Sequence, residues 1–267
     1  MILVLALALQ VEAVERQLTE LYGPLLFELE SARIAYEDVL KILKRERLEP
    51  LNAEEAKLWT FRLENDLKPR KARVAALVRG AEDVELKARA ERYAEGGEPA
   101  TPKELGTSVR AAFAALKKRH AELLAKDPEA AVRWTERQIR ELYEPLVRLN
   151  AQGLAAVKGY TKLNADDGDQ ARWKVWALRS FLPRNEETRR VIAGAAALVE
   201  GEGLSEPFLA FLEHQQSWAQ LHLRWEKEKV DYAWGSRTNW PVAFSLECER
   251  TYQELLDRRA RLVAGQK

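Results

Sequence analysis

The sequence predicts an all-α protein made of two tandem, diverged copies of an antiparallel helical-bundle unit. Three observations carry that expectation. Apolar residues rarely alternate with the period of two that a half-buried strand needs, while spacings of three and four recur. Glycine and proline gather at the ends of these segments. Residues 15–25, ERQLTELYGPL, return at 136–146 as ERQIRELYEPL, with eight of eleven positions identical at an offset of 121. Self-similarity at a fixed spacing marks a repeated structural unit.

Taken in order, helices are expected at 3–21, 24–46, 53–79, 82–95, 102–125, 128–143, 145–164, 168–182, 186–200, 206–229 and 241–264. The first pair meets at Pro24, which lacks an N–H and disfavours helix in the residue before it, so the helix should end or kink there. Along 24–46 apolar residues fall at 25, 29, 32, 36, 39 and 43, a seam suited to packing against neighbouring helices. Asn52 with Glu55, and Thr101 with Glu104 behind Pro102, have the form of capping boxes for the next helices. Asp127-Pro128 opens a helix in the same way, and Pro145 repeats the Pro24 break. Asp167, Asn185 and Ser205 are further N-caps.

The order of the repeated anchors is the same in both halves. EEAKLWTF (54–61) resembles DQARWKVW (169–176) at offset 115, and Tyr93-Ala94 with Gly96 and Pro102 matches Tyr232-Ala233 with Gly235 and Pro241 at offset 139. The helix after each proline keeps register through Phe113/Tyr252, Leu116/Leu255, Arg119/Arg258 and Leu123/Leu262. The copies are therefore expected at 1–126 and 127–267, the second longer by 139 − 115 = 24 residues. That excess is about one helix, placed near 206–229.

Composition narrows the function classes. An apolar fraction of 46% with 32% charged residues fits a folded, well-solvated chain and excludes a disordered one. Lys+Arg (43) and Asp+Glu (42) balance, so no global field selects nucleic acid. Within LKPRKAR (67–73), Lys68, Arg70, Lys71 and Arg73 follow Glu64 and Asp66 and read as a solvated helix start. NADDGDQ (164–170) lacks the order of a calcium loop and reads as a turn with a helix cap. Cys248 is the one cysteine, so neither an internal disulfide nor a cysteine-based metal site is available, and its seam position predicts a buried thiol. The apolar run Ile2–Leu9 is too short to cross a bilayer. It reads as the first turns of a core helix, as a membrane stub giving peripheral contact, or as a cleaved signal lacking its basic region.

Of the three histidines, His120 aligns with Arg259 and reads as a surface residue. His214 and His222 flank Trp218 on the 206–229 helix, with Trp225 between them around the axis. Standing about 12 Å apart, they do not share a metal. They mark the margins of an aromatic core face, a ligand or partner groove, or an acid–base pair. Trp234 and Trp240 lie in the loop 230–240, where tryptophan either anchors a partner or folds back over the bundle end. No glycine-rich phosphate loop, nucleophile elbow or framed carboxylate pair is present, so no cofactor and no catalytic set are expected.

RQLTELYGPLL, LWTFRLENDLKPRKARVAALV and HQQSWAQLHLRW together resemble a loose set of uncharacterised bacterial helical proteins sharing a Leu-Tyr-Gly-Pro-Leu element. Copy one keeps it as Leu21 to Leu25, whereas copy two has Glu144 in place of the glycine. The resemblance implies a helical fold, often with an N-terminal membrane segment, and brings no activity. The expected function is a non-enzymatic scaffold that binds a protein partner, cytoplasmic or at the inner membrane face. The alternative is a small-molecule-binding protein or enzyme with a pocket at His214, Trp218 and His222.

Overall fold

The computed structural model describes residues 2–48, 50–95, 103–163, 174–228 and 239–265. Among them every regular element is helical. Helix α1 spans 2–43, α2 53–78, α3 Val84–Glu95 and α4 Lys103–Leu124. They are followed by α5 over 128–163, α6 over 174–194, α7 Glu206–Glu228 and α8 Val242–Val263. The chain divides into two compact units, Met1–Ala130 with Ala196–Leu204, and Ala131–Ala195 with Ser205–Lys267.

The prolines did not end the helices. In α1, α2, α5 and α6 a π-turn lies just ahead of the proline, at Gln17–Tyr22, Leu63–Leu67, Gln138–Tyr143 and Ala177–Phe181. Pro24, Pro69, Pro145 and Pro183 each follow two residues after such a turn. In an ordinary helix the prolyl ring collides with the carbonyl four residues back. Here the residue before each proline donates its N–H to the carbonyl five back: Gly23 to Leu18, Lys68 to Leu63, Glu144 to Ile139 and Leu182 to Ala177. The wider turn makes room for the ring, so helical hydrogen bonding runs on past the proline. Side chains tie down carbonyls near the wide turns, as when Thr19 Oγ1 donates to Glu15 O at 2.8 Å and Asn65 Nδ2 to Phe61 O at 2.8 Å.

The first unit packs α1 through Val11, Val14, Leu18, Leu25, Leu29, Ala32, Ala35 and Val39, all buried, with Leu67, Val74, Val109 and Phe113 from the other helices. Helix α1 closes on Lys44 in the left-handed region at φ 54°, whose N–H returns to Leu40 O and Lys41 O. The expected capping box at Asn52 is present in full: its side chain accepts from Glu54 N and Glu55 N, and Glu55 accepts from Asn52 N at 2.9 Å. The short 3₁₀ turn Ala196–Leu198 belongs to this unit. It lies so close to Gly23 that a Cβ there would stand 2.8 Å from Ala197 N. Lys117 Nζ holds the same segment by donating to Ala197 O at 3.1 Å and Val199 O at 2.7 Å.

Asp127, at the end of the first unit, caps α5 by accepting from Ala130 N at 2.9 Å, and in the second unit the core gathers on α7. Phe211 and Phe244 stack at 4.6 Å, and Phe208 meets Phe244 edge-on at 5.2 Å. Along α7, His214, Gln215, Gln216, Ser217 and Trp218 are all buried, so this stretch is enclosed on every side. Cys248 is fully buried, as expected. Burial drives its thiol far above the ordinary range, which keeps it protonated. No helix among the described residues is long and apolar enough to cross a membrane.

Candidate functional site

Two polar constellations stand out from these cores. The first corrects the reading of LKPRKAR as a solvated helix start. Arg70 and Lys71 are buried on α2. Arg70 Nε meets Asp66 at 2.7 Å and Arg70 Nη1 meets Glu28 at 3.3 Å, while Arg73 Nε reaches Glu28 at 2.7 Å. About two helical turns before Arg70, Arg62 pairs with Asp38 at 3.0 Å. Lys71 Nζ lies 5.2 Å from the centre of the Tyr93 ring. The Tyr93 hydroxyl is buried without a hydrogen-bond partner, and burial pushes its pKa up to about 12, with Arg70 pulling the other way. His120 is likewise not at the surface: it is 3% exposed and meets Glu15 at 3.2 Å. These groups pair within the unit and form an interior ionic lattice.

The second constellation lies in the second unit, where α6, α7 and the start of α8 meet. Trp240 is half-buried: Phe211 approaches at 5.7 Å and His214 edge-on at 5.4 Å, and its Nε1 donates to Ser245 Oγ at 3.0 Å. The Arg184 guanidinium lies 4.6 Å from the centre of the Trp240 ring and 5.6 Å from that of Phe181. Trp218 packs with Ala177 and Phe181, flanked by Trp176 and Trp225. His222 stacks on Trp225 at 6.0 Å and approaches Glu226 at 3.7 Å, while Lys174 Nζ lies 4.3 Å over Trp225. The structure thus joins His214 to Trp240 and His222 to Trp225, on successive stretches of α7. Trp234, most of the 230–240 loop and NADDGDQ lie outside the described residues.

Arg184 is the residue that sequence reasoning missed. Its Nη2 donates to Asn185 Oδ1 at 2.9 Å, its Nε is buried without an acceptor, and no carboxylate among the described residues pairs with it. Desolvation alone brings its pKa down to about 10, which still leaves it charged at neutral pH. The guanidinium rests on the bare backbone of Gly153, where a Cβ would stand 1.9 Å from Nη1. The available signal was the Pro-Arg pair, present at 69–70 and again at 183–184 behind a π-turn.

Among the described residues no three His, Cys, Asp or Glu side chains stand where they would hold a metal ion. Near the surface, Val242 and Leu246 on α8 are 63% and 60% exposed, one turn apart and adjoining Trp240 in sequence. Near the other terminus Leu5 and Leu9 are exposed. Compared with protein-family models, with curated proteins and with solved structures, the chain matches none.

Proposed function

We propose that the chain is a tandem duplication of one helical unit and works as a non-enzymatic scaffold, binding a protein partner through its second unit. The duplication is supported by the π-turns at 17–22 and 138–143, which repeat at the offset of the LeuTyr anchors, 138 − 17 = 121. Those at 63–67 and 177–181 repeat at 177 − 63 = 114, one less than the sequence anchors suggest. In these registers Asp38 and Arg62 correspond to Gly159 and Trp176. The ion pair of one unit becomes a packed indole in the other, where a Cβ on Gly159 would stand 3.4 Å from the Trp176 ring. A glycine opposite a large ring is the compensated exchange expected when one ancestral contact diverges. The resemblance to bacterial proteins with the Leu-Tyr-Gly-Pro-Leu element belongs to the same reading, as does a place in the cytoplasm or against the inner membrane face.

The observation that carries partner binding is the exposed Val242–Leu246 pair beside Trp240. Aromatic and aliphatic groups that remain accessible at a helix start are typical anchors of interfaces. Replacing Val242 and Leu246 together by Asp removes no core contact, so helical content and melting temperature should stay as in wild type. Recovery of a reproducible partner from the native host by the tagged chain should then fall sharply relative to wild type. Equal recovery by the two proteins would refute the assignment of this face.

A further inference from the structure

We infer that Arg184 and Asn185 form a carboxylate-binding site in the second unit, taking a ligand group that bears a single carboxylate beside an apolar body. The inference rests on two donors that lack an acceptor. Arg184 Nε and Asn185 Nδ2 are both buried with no hydrogen-bond partner, and Asn185 is 1% exposed. The two side chains are already joined, because Arg184 Nη2 donates to Asn185 Oδ1. A buried guanidinium without a counter-charge is costly, and so is a buried amide N–H without an acceptor. One carboxylate satisfies both: its two oxygens accept from Nε and from Nδ2, and its charge neutralises the arginine.

The first unit shows that this place in the fold suits carboxylates. Arg70 follows its π-turn and proline as Arg184 follows its own, and there Asp66 and Glu28 occupy the guanidinium at 2.7 and 3.3 Å. At the corresponding offsets the second unit has Ser180 and Leu149. In this register the second unit carries the arginine without either acid, and Gly153, where the first unit has Ala32, leaves space for the guanidinium to lie on the backbone. The rings of Trp240 and Phe181 set an apolar margin around the charge. One arginine with no second cation among its contacts favours a monoanionic carboxylate over a phosphate, which recruits several donors or cations. The comparison with the first unit rests on the duplication reading, and the source of the carboxylate, a free small acid or an acidic side chain of a partner, rests on the partner-binding reading.

The test uses the full chain and three probes at matched ionic strength: sodium benzoate, the blocked dipeptide N-acetyl-Leu-Glu-amide, and inorganic phosphate. Melting temperature and calorimetric titration are read for wild type, Arg184→Met and Gly153→Ala. Wild type should be stabilised by benzoate, by the dipeptide, or by both, and more weakly by phosphate. Benzoate alone assigns a free acid, and the dipeptide alone assigns a protein-borne group. Arg184→Met should melt at or above wild type without ligand, since it removes an uncompensated charge, and should bind the probe about tenfold or more weakly. Gly153→Ala, which displaces the guanidinium and keeps the charge, should weaken binding in the same direction and covers the case in which the Met variant fails to fold. The inference is overturned if wild type responds to neither carboxylate, if phosphate does as well, or if both variants bind like wild type. Loss of this site would leave the Val242–Leu246 result untouched, so the two readings fail separately.

Discussion

Tyr93 shows how much a single buried group alters the behaviour of the first unit. Its hydroxyl has no partner, and burial, which disfavours the phenolate, pushes its pKa up to about 12. The folded-state pKa is raised, so the associated stability is complete below pH 10 and is lost as pH rises from 10 through 12. Over that window Tyr93 removes about 2–3 kcal/mol. Tyr93→Phe deletes no hydrogen bond and should flatten this part of the alkaline denaturation curve while leaving stability at pH 7 nearly unchanged. A variant whose alkaline limb superimposes on that of wild type would refute the role. At this scale the sequence was only partly legible. Cys248 was readable as buried because its helical register is apolar. Arg70, Lys71 and His120 were not, because their neighbours are remote: Glu28 lies 42 residues from Arg70, and Glu15 lies 105 from His120. A local window sees charge and infers solvent. Arg184 escaped for the complementary reason, that its distinguishing feature is the lack of a carboxylate.

At the level of elements, the helix start at Asn52 was legible because capping is local chemistry, whereas Asn185, read as an N-cap, lies inside α6. Asn52 and Glu55 sit three residues apart in sequence and close a reciprocal pair in space. Helix continuity was not legible. The rule that proline ends a helix assumes α-type bonding behind it, and four π-turns remove that assumption. The π-turn in α1 also explains the one glycine of the Leu-Tyr-Gly-Pro-Leu element. Gly23 lies against Ala197, whereas its counterpart Glu144 is exposed on α5. Gly23→Ala would place a methyl 2.8 Å from both Ala197 N and Leu18 O, backbone atoms that do not swing aside. Helix propensity favours the substitution by about 1 kcal/mol, but overpacking against backbone opposes it by about 1–3 kcal/mol. The variant should therefore be destabilised or at best neutral in thermal denaturation, whereas Glu144→Ala should be neutral or mildly stabilising. A Gly23→Ala protein that melts clearly above wild type would show that the 196–198 turn does not bear on this glycine.

For the whole molecule, the informative fact is that the first unit is not a continuous stretch of chain. The repeat boundary drawn from sequence falls at 126, yet the unit includes Ala196–Leu204. In that segment Ala196, Ala197, Leu198 and Val199 are all at most 2% exposed, and Lys117 donates to two of its carbonyls. Burying the leucine and valine side chains contributes about 3–6 kcal/mol before ordering entropy is subtracted. That is a large share of the 5–15 kcal/mol by which a typical domain is stable. A fragment of residues 1–126 therefore exposes the face at Gly23 and leaves Lys117 without these acceptors. It should keep helical circular dichroism but melt well below the intact chain, with a broadened transition and binding of a hydrophobic dye. A synthetic peptide of residues 195–205 added in excess should raise its melting temperature, since a ligand of the folded state alone stabilises it by mass action. A fragment that unfolds as sharply as the full chain, binds no dye and ignores the peptide would show that the 196–204 segment is dispensable. The sequence offered no sign of this dependence, because AAALV reads as the unremarkable end of a helix and its partners lie 80 residues or more away.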